Sequence, residues 1–219
     1  MLYIVSTPIG NLEDITLRAI RILKEVDIIL AEDTRVTGVL LKKHNIVKKT
    51  ISFHDHNENK KIKQTISLLK EGKNIALVSD AGTPAISDPG YLLIKKCREE
   101  NLQITVLPGA CAAIAAITLT SFSRTNFKFM GYMPRKKTQC EKIIKKIQDE
   151  KITTVFYESP YRVLKSLEII ANIMPENNIA IIREITKKFE EVIEGKAKEI
   201  FNKVKEKTLK GEIVLIISE

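Results

Sequence analysis

Residues 75–91 read IALVSDAGTPAISDPGY, and this stretch contains the pattern that decides the fold. The apolar run Ile75–Val78 has the length and branching of a buried strand, and residues 91–100 are predicted to form a helix. We expect Asp88 to be the N-cap of that helix, with Pro89 at its first position. The loop between the two elements is about twice as long as an ordinary strand-to-helix turn. A long polar loop rich in Gly and Pro is typical of a ligand site at the edge of an open α/β sheet.

Strand-like and helix-like segments alternate on both sides of this stretch throughout the first half of the chain. The predicted strands are Leu2–Ser6, Ile28–Ala31, Thr50–Phe53, Ile75–Val78 and Gln103–Leu107. The spacing of apolar residues predicts helices at 15–25, 39–43, 60–70, 91–100 and 110–117. This alternation indicates a mainly parallel sheet that is covered by helices on both faces.

The pattern weakens at residues 120–126, which we interpret as the boundary between two domains. The second half contains more strands per helix and is expected to form a mixed sheet. Its clearest helix carries one apolar stripe between Val163 and Met174. The predicted fold therefore has two α/β domains, residues 1–118 with a mainly parallel sheet and residues 119–219 with a mixed sheet.

The composition is that of an ordinary globular protein, with 44% hydrophobic and 29% charged residues among 219. No apolar run approaches the roughly 20 residues that a membrane helix needs, so no membrane partner is expected. The N-terminus enters a strand-like segment without a signal-peptide pattern. Cys97, Cys111 and Cys140 are widely separated, and as free thiols they favour a cytoplasmic location.

The charge balance is basic, with 36 Lys and Arg residues against 27 acidic ones, a net charge of +9 and a pI near 9.3. Such a charge would steer the protein toward a polyanionic partner such as a nucleic acid. A lysine-rich composition without any such partner would give the same total.

Polar residues follow each strand of the first half, at the edge where the carboxyl ends of parallel strands meet and where ligands bind. These segments are residues 7–14 (TPIGNLED), 32–35 (EDTR), 54–58 (HDHNE), 79–90 and 108–111 (PGAC). Their Pro-Gly pairs, carboxylates and histidines predict a functional site there. The chain has neither the glycine fingerprint of dinucleotide-binding proteins nor a P-loop.

The candidate chemistry at this edge is acid–base chemistry. Glu32 and Asp33 are suited to act as a general base, although ion pairs with Arg35 would also explain them. His54 and His56 have acidic neighbours, but no third ligand stands at a useful spacing, so no metal site is predicted.

Several motifs closely resemble those of one known family. They are TPIGNL (7–12) with Asp14, AEDTR (31–35), HDHNE (54–58), SDAGTPAISDPG (79–90), LPG (107–109), GYMPRK (131–136) and FYESP (156–160). On these residues the chain is identified as a member of the tetrapyrrole methylase family. Within it, the chain resembles the bacterial enzymes that methylate the 2′-oxygen of a cytidine in 16S ribosomal RNA.

The resemblance implies two α/β domains that hold S-adenosylmethionine in the cleft between them, usually in a homodimer. Much of the cofactor contact in the family comes from backbone atoms, which suits loops rich in Gly and Pro. Carried over position by position, the cofactor-binding residues are Pro8, Ile9, Gly10, Asp80, Gly82, Thr83, Ile86, Ala110, Cys111, Ala112 and Tyr157. Ala110 departs from the family pattern, because many members carry a second proline there.

A second departure concerns the end of the chain, which follows the last predicted strand closely, whereas many members continue into a helical extension. If that extension grips RNA, this protein must depend more on its basic surface. The candidate RNA-binding residues are Arg35, Arg135, Lys136 and Lys137, together with Lys142, Lys145 and Lys146. A solvated helix face would also explain the last three.

The reaction implied by the resemblance is methyl transfer from S-adenosylmethionine to the ribose of a cytidine in the decoding region, on the small ribosomal subunit. The attacking 2′-hydroxyl must lose a proton, and the candidate bases are Asp33, Glu32, His54 and Asp55. The acidic pair ranks first, with no choice between its members, and Arg35 is expected to hold a phosphate.

Two other functions stay open. One is methylation of a tetrapyrrole, another small molecule or a protein by the same fold, and the other is a non-catalytic role as an RNA-binding assembly protein. The EDTR and HDHN motifs and the net charge favour the RNA enzyme.

Overall fold

The computed structural model describes residues 1–218, which form two compact units. The first unit is Met1–Cys111, and the second begins at Ala112. This division lies seven residues before the boundary expected after residue 118. The difference arises because the helix that starts at Ala112 packs with Ala113, Ala116 and Ile117 buried, against strands of the second sheet.

The first unit is a five-stranded sheet with four α-helices. Its strands are β1 (Leu2–Val5), β2 (Ile28–Ala31), β3 (Lys49–Ser52), β4 (Ile75–Val78) and β5 (Ile104–Leu107). Its helices are α1 (Leu17–Glu25), α2 (Thr34–Lys43), α3 (Glu58–Lys70) and α4 (Tyr91–Glu99). The strand order is β3-β2-β4-β1-β5, and every pair is parallel, which confirms the predicted sheet.

The parallel sheet forms because its central strands are short and apolar on both faces. All four residues of β2 and of β4 are buried, as expected for strands covered on both sides. One hydrophobic cluster joins α1 and α2 to one face through residues such as Leu23, and another joins α3 and α4 to the other face through Leu93. The five carboxyl ends therefore meet at one edge of the sheet, where the polar segments follow.

The second unit contains five strands and four α-helices within the part of the chain that the structure describes. Its elements are α5 (Ala112–Thr118), β6 (Phe127–Tyr132), α6 (Lys137–Glu150), β7 (Thr153–Glu158), α7 (Val163–Ile173), β8 (Asn178–Arg183), β9 (Glu191–Lys196), α8 (Ala197–Val204) and β10 (Ile213–Ile217). The order is β6-β7-β10-β8-β9, with β6 and β7 parallel and the other pairs antiparallel. The sheet is mixed, as predicted.

The core of the second unit lies between its sheet and α6, α7 and α8. Val163, Leu167 and Ile170 form the fully buried stripe of α7 and pack against Phe156 and Leu215 of the sheet. This is the apolar stripe that the sequence predicted for this helix.

Two further features concern the whole described chain. No helix among residues 1–218 is long and apolar enough to cross a membrane. Cys97, Cys111 and Cys140 are free thiols, and burial raises the pKa of both Cys97 and Cys140 to about 11.

Candidate functional site

The loops after β1 and β4 are joined by main-chain hydrogen bonds. The Thr7 amide donates to the Gly82 carbonyl at 2.9 Å, and the Gly82 amide donates back to the Thr7 carbonyl at 3.1 Å. The Thr7 hydroxyl adds a third bond, to the carbonyl of Ser79 at 3.0 Å. The start of the long loop is therefore held against β1 by its own backbone.

The loop after β5 is joined to the same place through two hydroxyls. Ser6 Oγ lies 2.9 Å from Thr83 Oγ1 and donates to the carbonyl of Leu107 at 3.2 Å. Thr83 Oγ1 donates to the carbonyl of Ala110 at 3.4 Å. The three loops thus meet, and we call residues 6–10, 82–83 and 107–111 the main-chain region.

Glycine makes this close approach possible. A Cβ built on Gly109 would lie 2.7 Å from Cβ of Ser6, so a side chain there would push the loop off β1. Gly82 has φ of +84°, and a Cβ on it would lie 3.4 Å from Cγ2 of Ile9 and 3.6 Å from the carbonyl oxygen of Ala110. The main-chain region therefore brings together residues from all three predicted cofactor loops of the first unit.

The rest of the long loop departs from the prediction at its far end. The N-cap of α4 is Gly90 with φ of +130°, and Asp88 is not the cap, so that expectation is wrong. A Cβ on Gly90 would lie 2.7 Å from Cδ2 of Leu77, and the Gly90 amide donates to Oε1 of the buried Glu58 at 3.2 Å. Asp88 instead accepts a hydrogen bond from Ser79.

Two residues of this loop that are not glycine have backbone conformations that favour glycine. Ala85 and Ser87 have φ of +66° and +67°, although both carry a Cβ. Non-glycine residues in this region are strained, and such strain persists only where the surroundings enforce it. Ile86, which lies between them, is left 45% exposed.

The adjacent acids Glu32 and Asp33 have different environments. Asp33 is the N-cap of α2, and its Oδ1 accepts from the Arg35 amide at 2.8 Å. Its Oδ2 accepts from Arg35 Nη2 at 2.6 Å. The side-chain bonds from Arg35 are the largest cause that lowers the pKa of Asp33, to about 2. Asp33 is therefore a carboxylate with a low affinity for protons.

Glu32 is half-buried, and this burial is the largest cause that raises its pKa. The negative charges of Asp80 and Asp55 raise it further, while the Asp80 amide donates to Glu32 Oε2 at 3.3 Å and opposes the shift. Asp80 is held by the Asp33 amide, which donates to its Oδ1 at 2.9 Å. Glu32 is thus the member of the pair that is better suited to accept a proton.

Asp88 belongs with Glu32 and Asp80, and the sequence did not predict this. Burial, followed by the negative charge of Glu32, raises the pKa of Asp88 to about 7. The only local signal was its place in a long polar loop, which also suits a helix cap. Glu32, Asp33, Asp80 and Asp88, with His54 and Asp55 beside them, are called the carboxylate region below.

The loop after β3 is folded by Asn57. Its Oδ1 accepts from the His54 amide at 3.0 Å, and its Nδ2 lies 3.1 Å from Nε2 of His54 and donates to the Ser52 carbonyl at 3.2 Å. The rings of His54 and His56 meet edge-on with centroids 5.9 Å apart, and Asp55 is exposed. No group of three His, Cys, Asp or Glu side chains within residues 1–218 has the arrangement of a metal site.

The remaining predicted site residues belong to the second unit. Ala112 starts α5, and Tyr157 is half-buried near the end of β7, with its ring edge-on to Phe129 at 4.8 Å and to Tyr132 at 5.7 Å. The predicted RNA-binding residues Arg135, Lys136 and Lys137 are exposed where α6 begins, and Lys142, Lys145 and Lys146 are exposed along it.

Comparison with known proteins identifies the family of this chain. The family described as Tetrapyrrole (Corrin/Porphyrin) Methylases matches residues 1–200. A protein of Thermotoga maritima named ribosomal RNA small subunit methyltransferase I is 45% identical over 217 residues, which are 99% of this chain and 97% of that protein. The protein of the same name from Escherichia coli O157:H7 is 46% identical over 219 residues, covering 99% of this chain and 77% of that protein.

A solved structure shows the same fold at low sequence identity. The cobalamin biosynthetic enzyme cobalt precorrin-4 methyltransferase superposes with a TM-score of 0.73 at 16% identity, covering 99% of this chain and 94% of that one. The chain belongs to the tetrapyrrole methylase family. The relatives at about 45% identity carry the more particular name of ribosomal RNA small subunit methyltransferase I, which confirms the resemblance found in the motifs.

Proposed function

We propose that this protein transfers a methyl group from S-adenosylmethionine to the ribose 2′-oxygen of a cytidine in the decoding region of 16S ribosomal RNA. The names of the relatives support an RNA of the small ribosomal subunit as the substrate. One structural observation carries the choice of an oxygen acceptor. A half-buried carboxylate with a raised pKa, Glu32, is held by Asp80, and the loop of Asp80 also contributes Gly82 and Thr83 to the main-chain region.

The residues of the main-chain region fit a cofactor that is held mostly by backbone atoms. Gly82 and Gly109 have no side chain that would cover the backbone of the loops, and Gly10 is exposed. We assign cofactor contacts in the first unit to Pro8, Ile9, Gly10, Asp80, Gly82, Thr83, Ile86, Ala110 and Cys111. When bound, S-adenosylmethionine supplies a methyl group that is already activated by its positive sulfur.

Glu32 is the base in this proposal, because a ribose hydroxyl is a weak acid and its proton must be accepted as the oxygen attacks. Burial and the neighbouring charges of Asp80 and Asp55 increase the affinity of Glu32 for that proton. Asp33, with a pKa of about 2, holds Arg35 and caps α2 instead. His54 and Asp55 then act by adjusting the charge around Glu32, since both contribute to its pKa.

Arg35 is suited to position the RNA. Its side chain is 89% exposed, and Asp33 contacts it through Nε and Nη2, which orients the guanidinium. A guanidinium fixed in this way matches a phosphate of the substrate strand. The ribosomal substrate also implies a cytoplasmic protein, and we extend the family's usual homodimer to this chain.

Mass mapping of 16S ribosomal RNA tests this proposal. RNA from a strain that lacks the gene should lose one ribose methyl on a cytidine of the decoding region, and the purified protein with S-adenosylmethionine should restore it on small subunits from that strain. An unchanged methylation pattern would refute the assignment of the substrate. Calorimetry with S-adenosylmethionine separates the remaining alternatives: a protein that binds it but methylates no ribosomal RNA is another methylase of this fold, and one that does not bind it is no methylase.

A further inference from the structure

One turn in the second unit carries an aromatic side chain that lies almost wholly in solvent. Tyr161, between β7 and α7, is 97% exposed. The turn is nevertheless well defined, because Ser159 Oγ accepts from the Tyr161 amide at 3.3 Å and the Ser159 carbonyl accepts from the Arg162 amide at 2.9 Å. A fixed backbone therefore presents an uncovered aromatic ring.

A buried ion pair fixes this turn to a second segment. The Glu158 carboxylate has no exposed surface and accepts from Ser166 Oγ, from the Ser159 amide at 2.7 Å and from the Arg162 guanidinium. Nη1 of Arg162 also donates to the carbonyl of Met133 at 3.1 Å. Burying such a pair adds little stability over apolar packing, so a positioning role explains it better.

The second segment is basic. Arg135 follows Met133 by two residues, so its Cα lies at most about 7 Å from that of Met133. Arg135 and Lys136 are exposed and take part in none of the ion pairs within residues 1–218, and Lys137 lies 3.8 Å from Glu141. We call Tyr161, Arg135, Lys136 and Lys137 the Tyr161 surface.

This combination matches the chemistry of single-stranded nucleic acid, in which cations track the phosphates and aromatic rings stack with bases. We propose that the Tyr161 surface binds a single-stranded segment of the RNA substrate, with a base stacked on Tyr161, and that Glu158 and Arg162 position this surface. The choice of RNA as the polyanion rests on the proposed function.

The test of Tyr161 uses the full-length protein and a fluorescein-labelled single-stranded RNA of mixed sequence and roughly 12 nucleotides, a typical site size, followed by anisotropy. Tyr161→Ala should weaken binding roughly five- to hundredfold, the range for one stacked base. Tyr161→Phe keeps the ring and should bind as the wild type does. Phe189→Ala is the matched control, because Phe189 is also exposed, at 66%, on another turn of the same unit.

Arg162→Lys tests the positioning role, since lysine keeps the charge beside Glu158 but cannot also reach the Met133 carbonyl in the same geometry. It should raise KM for small ribosomal subunits while kcat and the affinity for S-adenosylmethionine stay unchanged. A loss of kcat with an unchanged KM would overturn the positioning role.

The outcomes separate this proposal from the proposed function. If the wild type methylates small subunits and Tyr161→Ala binds the labelled RNA and the subunits as the wild type does, the Tyr161 surface is refuted while the function stands. If the wild type transfers no methyl group to subunits, but Tyr161→Ala binds the labelled RNA more weakly than the wild type does, the proposed function is refuted and the Tyr161 surface stands. A change in oligomeric state with Tyr161→Ala, seen by size-exclusion chromatography, would assign Tyr161 to self-association and also refute the proposal.

Discussion

The main-chain region and the carboxylate region lie at the same edge of the first sheet but are built in different ways. In the first, loops meet through backbone amides, carbonyls and the hydroxyls of Ser6, Thr7 and Thr83, and glycine occupies positions where a Cβ would collide or be strained. In the second, charged side chains from the ends of β2 and β4 interact at close range, and burial raises the pKa values of Glu32, Asp80 and Asp88.

The difference separates two tasks of a methyl transfer. A binding surface made of backbone is insensitive to protonation but sensitive to the volume of side chains. A surface made of carboxylates is tolerant of small changes of shape but sensitive to charge. Substitutions should therefore affect cofactor affinity in one region and the chemical step in the other.

The largest effect is expected for Glu32→Gln. Glutamine keeps the shape of the side chain and cannot accept the proton, so kcat for methyl transfer to small subunits should fall roughly 10²- to 10⁴-fold, the usual contribution of a general base. The affinity for S-adenosylmethionine, measured by calorimetry, should remain that of the wild type. A variant that retains its rate would exclude Glu32 as the base.

The second largest effect is expected for Gly82→Ala, which places a methyl group between Ile9 and the Ala110 carbonyl. Moving these neighbours should weaken S-adenosylmethionine binding roughly tenfold, equivalent to about 1.4 kcal/mol. Gly72→Ala is the control, because Gly72 has nearly the same φ, +85°, but nothing lies within 4 Å of its Cβ position. Both variants should lose about 1–2 kcal/mol of stability from the left-handed backbone, and only Gly82→Ala should lose cofactor affinity. Equal losses of cofactor affinity would contradict the comparison.

A smaller effect is expected for Asp88→Asn and concerns stability. Between the ordinary pKa of 3.8 and the folded pKa of about 7, the folded protein keeps a proton on Asp88 that the unfolded chain has released. Raising the pH through this window therefore costs stability, and asparagine removes the cost. Allowing for solvent screening, Tm at pH 8 should rise by about 2–4 °C, equivalent to about 1 kcal/mol, with little change at pH 4. Scanning calorimetry checks this, with the exposed Asp149→Asn as control; a gain that is the same at both pH values would refute the buried charge as its cause.

The smallest effect is expected for Asp33→Asn. Asparagine caps a helix about as well as aspartate, and the exposed pair with Arg35 contributes little to stability because solvent screens it. The rate of methyl transfer should stay within about twofold of the wild type. A loss as large as that of Glu32→Gln would show that the two acids act as one unit, and the distinction between them would be wrong.

The sequence alone predicted the fold well because its signals are local. The runs Ile28–Ala31 and Ile75–Val78 are apolar throughout, and they became strands with the predicted bounds. The cap at Asp88 was wrong because the end of that loop is decided by tertiary contacts, namely the space beside Leu77 and the carboxylate of Glu58.

The site was predicted less completely than the fold. The five segments at the strand ends could be found from sheet topology. The resemblance assigned the segments after β1, β4 and β5 to the cofactor, and those after β2 and β3 supplied the candidate bases. The difference between Glu32 and Asp33 could not be predicted, since they are neighbours of the same chemical type. It arises from the burial of Glu32 and from Arg35, which contacts only Asp33. The proton affinity of Asp88 likewise depends on charges at the ends of other strands.

The central claim, that backbone binds the methyl donor and Glu32 handles the proton, is tested most directly by one paired measurement. Calorimetric affinity for S-adenosylmethionine and the single-turnover rate of methyl transfer to small ribosomal subunits at saturating cofactor are determined for Gly82→Ala and Glu32→Gln. We predict a crossed result: Gly82→Ala loses affinity and keeps most of its rate, and Glu32→Gln keeps its affinity and loses its rate. If both variants lost affinity for S-adenosylmethionine, or both lost the rate of methyl transfer, the claim would be contradicted.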